Sequence, residues 1–139
     1  MVCLGNICRS PLAHGIMQQL VERQLQWEID SAGTGNWHIG QSPDQRSIQI
    51  AKKYGIDITM QRARQIRRED LVYYNRIFVM DRENLHHVRG LTNDVSLANK
   101  VALLANPEEI PDPYYDNDLF ESVFKQVYRA CTQILDEVS

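Results

Sequence analysis

A chain of 139 residues, 43% hydrophobic and 24% charged, can bury a sizeable core as one domain without metals or disulfide staples, and residues 1–139 are read as that single domain. Fifteen basic against eighteen acidic residues leave a net charge of -3, which argues against a nucleic-acid partner, and three cysteines, an odd count, describe no disulfide framework. No apolar run approaches the ~18 residues of a membrane span and no charged-then-apolar leader opens the chain, so the expectation is a cytoplasmic protein with no membrane partner.

Only Met1 and Val2 precede Cys3, so a first strand there is cut short. A strand of the usual ~5–6 residues would bury about three more apolar side chains, worth roughly 5–9 kcal/mol. Either the sequence starts late, or the chain is a truncated form in which the loop that follows is weakly held. Ser10-Pro11 starts a helix, a hydroxyl at the cap and a proline where its missing N–H is harmless, and Leu12, Ile16, Met17, Leu20 and Val21 share one face of it. Trp27 and Ile29 alternate with polar neighbours, which predicts a short strand ending near Asp30-Ser31. Ser42-Pro43-Asp44-Gln45 repeats the helix-start chemistry, with Ile48, Ala51 and Tyr54 behind it and Gly55 as its stop.

A short helix is predicted around Arg67 to Tyr74, and Ile77 to Met80 has the continuous apolar run of a strand buried on both faces. Residues 83–89 read as helix and Val101 to Leu104 as another buried strand. In the last helix Phe120, Val123, Phe124, Val127, Tyr128, Cys131, Ile134, Leu135 and Val138 keep one apolar rhythm. Strand alternating with helix predicts an α/β fold: three layers, doubly wound, a four-stranded parallel sheet flanked by helices. Ligands of such sheets sit beyond the carboxyl ends of the strands, here at the turn after Cys3, the loop after Asp30, and Asp81.

The turn reads Cys3-Leu4-Gly5-Asn6-Ile7-Cys8-Arg9-Ser10-Pro11. A loop of this length, closing on a helix N-terminus, aims several backbone N–H groups at one point, and a tetrahedral dianion fits such a nest. Arg9 can grip two of its oxygens with its planar fork. The same positive surroundings favour a thiolate nucleophile at Cys3, Gly5 permits the tight turn, Asn6 braces the loop, and Ser10 can donate to the sulfur. A buried cysteine is often only a small apolar side chain, but here the spacing, the glycine, the cap and the sheet edge agree. No Gly-Lys-Ser/Thr ends the loop, which excludes an ATP-binding P-loop. The second signal is Asp112-Pro113-Tyr114-Tyr115, on a loop stiffened by Pro107 and Pro111. Phosphoryl transfer from an aryl ester needs an acid for the departing oxygen, and two tyrosines beside it can line a slot for a ring.

With Cys-x5-Arg-Ser-Pro at residues 3 to 11 and Asp-Pro-Tyr-Tyr at 112 to 115, the chain resembles the low-molecular-weight protein tyrosine phosphatase family. Asp30-Ser31-Ala32-Gly33, Trp37, Ser42-Pro43, Ala63-Arg64-Gln65 and Met80-Asp81 extend the match over nearly the whole length. The resemblance implies hydrolysis of phosphotyrosine and aryl phosphates without metal or cofactor, through a cysteinyl phosphate. Cys3 is then the nucleophile, Arg9 and the loop from Leu4 through Gly5, Asn6, Ile7 and Cys8 to Ser10 hold the phosphate, and Asp112 is first acid and then base. Asp81 anchors Arg9, and Leu4, Trp37, Tyr114 and Tyr115 wall a deep, ring-sized slot. The implied partners are phosphotyrosine-containing proteins, phosphate-like oxyanions are implied inhibitors, and Trp37 and the paired tyrosines are compatible with a monomer or a weak homodimer.

For Cys8 two readings stand, a packed side chain or a reversible disulfide cap on Cys3 suggested by the family. The family often carries, two residues before Ala-Arg-Gln, a histidine that supports the loop asparagine; Gln61 stands there and is expected to offer a similar bond. The four histidines read as surface residues, Cys131 as core, and Arg62, Arg64, Arg67 and Arg68 as a solvated face balanced by Glu69 and Asp70. An arsenate reductase of this fold would need relay cysteines, which residues 91–111 lack. A protein arginine phosphatase is the nearer alternative, but Ile7 replaces its usual threonine and Tyr114-Tyr115 lean toward phosphotyrosine. From a different class, a non-catalytic phosphate-binding or redox-sensing module tolerates a looser site.

Overall fold

A computed structural model describes residues 1–21 and 26–138. Its strands are β1 (Val2–Cys3), β2 (Ala32–Gly33), β3 (Ile77–Val79) and β4 (Val101–Leu103), all parallel in the order β2-β1-β3-β4. Between and after them lie α1 (Arg9–Val21), α2 (Gln45–Lys53), α3 (Arg68–Tyr73), α4 (Arg82–Arg89), α5 (Val95–Ala98) and α6 (Leu119–Val138).

The side-chain alternation of the short strands sorts the interior into two layers. Cys3, Met80 and Leu104 face α1, α2 and α6 in one apolar cluster. Val2, Ala32, Val79, Val101 and Leu103 face the opposite side, against Leu71 of α3 and Val88 of α4. The three-layer α/β architecture read from the sequence is therefore present, and the short first strand is one of its two inner strands. Val2 pairs with Ala32 on one side and with Val79 on the other, which places Cys3 at the sheet's carboxyl edge.

Several elements differ from expectation. The strand predicted around Trp27 and Ile29 lies later, at Ala32–Gly33, because the register of β1 places Val2 opposite Ala32. Residues 26–30 carry no strand, and Trp27 is exposed. The cap of α2 is Asp44, two residues beyond Ser42: its carboxylate accepts the Arg46 N–H at 2.8 Å. Gly55, with φ of +80°, does end that helix, and the Ile56 N–H folds back to the Ala51 carbonyl. The short α5 was not foreseen.

On α6 the stripe Phe120, Val123, Phe124, Val127, Cys131 and Ile134 is buried as predicted, with Ala130 added to it. Tyr128 and Val138 are exposed: Tyr128 stands at the stripe's edge, its ring 6.4 Å from that of Phe124, which Tyr54 covers by stacking at 4.5 Å. A cavity of about 620 Å³ lies beside Met1, lined in part by Trp27, Ile29, Phe78 and Ile134. It contains neither Cys3 nor Asp112. Among the described residues no helix is long and apolar enough to cross a membrane.

Candidate active site

Cys3 ends β1, and the chain then loops over residues 4–8 into α1. The Cys3 Sγ lies 3.3 Å from the Asn6 N–H and 3.0 Å from the Ser10 Oγ. Asn6 sits at φ +57°, a left-handed conformation that asparagine accepts more readily than most side chains. Its amide fixes it there. Nδ2 donates to the Ser10 Oγ at 2.7 Å and the Ser31 Oγ at 3.1 Å, while Oδ1 accepts the Arg64 N–H at 3.0 Å. Because Ser10 accepts from Asn6, its own hydrogen is left for the sulfur or, at a longer 3.4 Å, for the Ala32 carbonyl. Gly33 makes the fit possible, since a Cβ there would stand 2.8 Å from the Leu4 carbonyl oxygen.

Arg9, 3% exposed, is held from below. Both hydrogens of Nη1 are used, one on Asp81 Oδ2 at 2.7 Å and one on the Ile110 carbonyl at 3.0 Å. Nη2 lies 3.7 Å from Asp112 Oδ2. Burial alone would weaken the hold of Arg9 on its proton, but the facing Cys3 and the carboxylates of Asp81 and Asp112 outweigh it and raise the pKa. Asp81 also caps α4, accepting the Asn84 N–H at 2.8 Å, so one carboxylate joins a strand end, a helix start and the guanidinium. Asp112 is oriented by the Tyr114 N–H on its Oδ1 at 3.0 Å, which leaves Oδ2 on the Arg9 side.

Cys3, Leu4, Gly5, Ile7, Cys8, Arg9, Trp37, Asp112, Tyr114 and Tyr115 line one pocket of about 320 Å³. Its floor is buried, but its aromatic walls stand in solvent: Trp37 is 65% exposed and Tyr115 93%. Where a deep slot is expected, the site has a buried floor at Cys3 and Arg9 under an open aromatic rim. Gly35 admits the Trp37 ring, which a Cβ there would meet at 1.9 Å. His38, read from sequence as a plain surface residue, also lines this pocket. Among the described residues no three His, Cys, Asp or Glu side chains form a metal-holding group.

Gln61 does not brace Asn6. Its Nε2 donates to the Pro11 carbonyl at 3.1 Å, and its Oε1 is buried without a partner among the described residues. The support comes instead from Ser31 and His14, whose Nδ1 lies 3.1 Å from the Ser31 Oγ. His14 is buried, contrary to the surface reading, because the first turns of α1 are covered on every side. Arg64 likewise is no solvated charge: it is half-buried and bridges Asp30 at 3.1 Å and Asp70 at 3.0 Å.

Burial lowers the pKa of His14 from its usual 6.5, so the folded chain keeps the ring neutral where the unfolded chain protonates it. Above pH 6.5 this group adds no pH dependence; below it, only the unfolded chain gains the proton, and stability falls. We expect Tm to drop on acidification from about pH 7 to about pH 5, and His14→Asn to show a shallower drop in the same melts. An unchanged slope would contradict a neutral buried ring.

A model of the family described as low molecular weight phosphotyrosine protein phosphatase matches residues 1–139. The chain belongs to this family. The low molecular weight phosphotyrosine protein phosphatase of Sus scrofa is 40% identical over 147 residues, covering 99% of this chain and 92% of that protein. The crystal structure of YfkJ from Bacillus subtilis superposes with a TM-score of 0.90 at 34% identity, over 99% of this chain and 91% of that one. The tyrosine phosphatase Wzb from Escherichia coli K30, in a structure described as a complex with sulphate, is 25% identical with a TM-score of 0.88, over 99% and 95% of the two chains. The superposition on the Bacillus subtilis structure covers 99% of this chain, in which Cys3 ends β1 and Arg9 starts α1.

Proposed function

We infer that this chain hydrolyses phosphotyrosine and aryl phosphate monoesters in two displacements at Cys3. The Cys3 thiolate attacks phosphorus in line with the ester oxygen; an S–P bond forms, the aryl O–P bond breaks, and Asp112 passes the proton on Oδ2 to the departing phenol oxygen. Asp112, now a carboxylate, takes a proton from a water that attacks the same phosphorus. The S–P bond then breaks and inorganic phosphate leaves. Arg9, through Nε and Nη2, and the loop amides from Leu4 to Ser10 hold the equatorial oxygens, with Asp81 positioning Arg9.

The observation that carries this reading is the meeting of Cys3, Arg9 and Asp112 in one pocket rimmed by Trp37, Tyr114 and Tyr115. The rim suits a phenyl ring, so phosphotyrosine-containing proteins are the substrates proposed. Tetrahedral oxyanions such as phosphate and sulfate are expected to compete for the same seat; the structure of the Escherichia coli K30 relative is described as a complex with sulphate. The exposed Trp37 and Tyr115 make the pocket mouth the face through which a weak homodimer would form; sedimentation independent of concentration would rule that dimer out. Phosphate release from a phosphotyrosyl peptide, with a phosphoarginine substrate alongside, tests the specificity. Turnover of the first and little of the second is expected; the reverse would make the chain an arginine phosphatase.

The regulatory role proposed for Cys8 has a defined chemistry. Peroxide takes two electrons from the Cys3 thiolate to give a sulfenic acid, and attack by the Cys8 sulfur expels water and leaves a disulfide. Burial, and then the charge of Asp44, push the Cys8 thiol up to about 12, which makes it a slow partner at neutral pH. Thiol reductant is expected to restore less activity after peroxide in Cys8→Ser than in the native chain. Equal recovery would leave Cys8 a packing residue beside Ile7, Ala63 and Phe120.

A further inference from the structure

We propose that Arg46 is a positioning residue for proton transfer, the cross-link that holds the segment carrying Asp112 and Tyr114 in register with the phosphate loop. The inference rests on the phosphatase reading and extends it to a residue outside the pocket.

Between β4 and α6 the chain has no helix or strand, so its geometry depends on ties from elsewhere. Upstream of Asp112 the tie is Ile110, whose N–H donates to the Met80 carbonyl at 2.8 Å and whose carbonyl accepts from Arg9. Downstream the tie is Arg46. Its Nη1 donates to the Tyr114 carbonyl at 2.9 Å and to the Asn117 Oδ1 at 2.7 Å, and its guanidinium lies over the rings of Tyr114 and Phe120 at 5.4 and 4.6 Å.

The other side of the fork is fixed to the phosphate loop. Nε and Nη2 grip the two oxygens of Asp44 at 2.9 and 2.8 Å, and the Asp44 N–H donates to the Ile7 carbonyl at 2.8 Å. The bonds from Arg46 hold the Asp44 carboxyl below the usual carboxylate range, so the pair stays ionised. Four donors of one planar group thus join residues 44 and 7 to residues 114 and 117. A lysine, one point charge, cannot make these bonds at once.

The consequence falls on Asp112, whose Oδ1 is set by the Tyr114 N–H, the same residue whose carbonyl Arg46 holds. Proton delivery requires Oδ2 within hydrogen-bond reach of the leaving oxygen, and misplacement by about 1 Å is costly. It matters only where the leaving group needs the proton. Releasing this tie therefore slows esters of weakly acidic phenols and spares those of strongly acidic ones.

The test is kcat/KM, which reports cleavage of the ester bond, for a phosphotyrosyl peptide and for 2,4-dinitrophenyl phosphate. Arg46→Ala and Arg46→Lys are expected to lose about tenfold or more on the peptide and under about threefold on the dinitrophenyl ester. In the Asp112→Asn background, Arg46→Ala should cost little more on the peptide, since the proton it positions is already gone. Asn117→Ala, which cuts one bond and leaves the Asp44 pair, should show a smaller loss with the same substrate dependence. Inhibition by phosphate and the melting curve report the phosphate loop and the fold in each variant. Equal losses on both esters, or a loss that adds to that of Asp112→Asn, would overturn the proposal. A native chain without phosphotyrosine turnover would instead overturn the phosphatase reading on which it rests.

Discussion

Cys3→Ser is expected to lower turnover of a phosphotyrosyl peptide by ~10⁴-fold or more, the equivalent of about 5.5 kcal/mol of transition-state stabilisation. A serine hydroxyl is a far weaker nucleophile at neutral pH, and Asp112, which must enter this step protonated as the acid, cannot also take the serine's proton. The anion seat should survive. Arg9 is anchored through Nη1 on Asp81 and Ile110, and Asn6 is held by Ser10, Ser31 and Arg64, none of which depends on the sulfur. Calorimetric titration with phosphate should therefore find binding within a few-fold of native. Loss of binding together with turnover would mean that the loop had collapsed, and retained turnover would remove Cys3 from the chemistry.

The second large effect belongs to Arg9. In Arg9→Lys one ammonium must choose between Asp81, the Ile110 carbonyl and the phosphate oxygens, contacts that the guanidinium divides between Nη1 and its remaining N–H groups. A lysine that stays on the half-buried Asp81 carboxylate gives up the bidentate hold on substrate. A loss of about 10³-fold in kcat/KM is expected, with kcat itself falling, because the charge to be stabilised grows as the ester bond breaks. Asp81→Asn is the milder partner. Its amide oxygen can still cap α4 through the Asn84 N–H, but the guanidinium loses its ionic anchor, so activity falls further than stability. Steady-state kinetics beside thermal melts separate the two. If Asp81→Asn lowered both in proportion, its role would be structural alone.

The loop proposed to hold phosphate was legible because its parts are contiguous: cysteine, turn glycine, arginine, serine and proline occupy residues 3 to 11. Asp81 was legible from the carboxyl-edge rule and Asp112 from the acid that an aryl ester needs beside two tyrosines, and the family resemblance marked both. What stayed hidden was every contact that depends on how distant segments meet. His14 shares a helix with a predicted apolar face, and periodicity says which face is core, not that the opposite one is covered too. Arg46 follows a helix cap and looks like ordinary surface charge until residues 114 and 117, 68 and 71 positions later, arrive beside it. Gln61 was assigned by position against a family histidine, yet the local path of the chain turns its amide to Pro11. Strand β2 was misplaced because Trp27 and Ile29 alternate convincingly while the ladder itself is set by Val2 opposite Ala32.

The central claim, a phosphatase working through a covalent intermediate on Cys3, is tested most directly by acid-quenching the reaction with a ³²P-labelled phosphotyrosyl peptide and mapping the label by peptide. The label is expected on the peptide that carries Cys3, to appear as fast as the dephosphorylated product in the first turnover, and to be absent from Cys3→Ser. Phosphate released at full rate with no label at Cys3, or by the Cys3→Ser chain, would contradict the account.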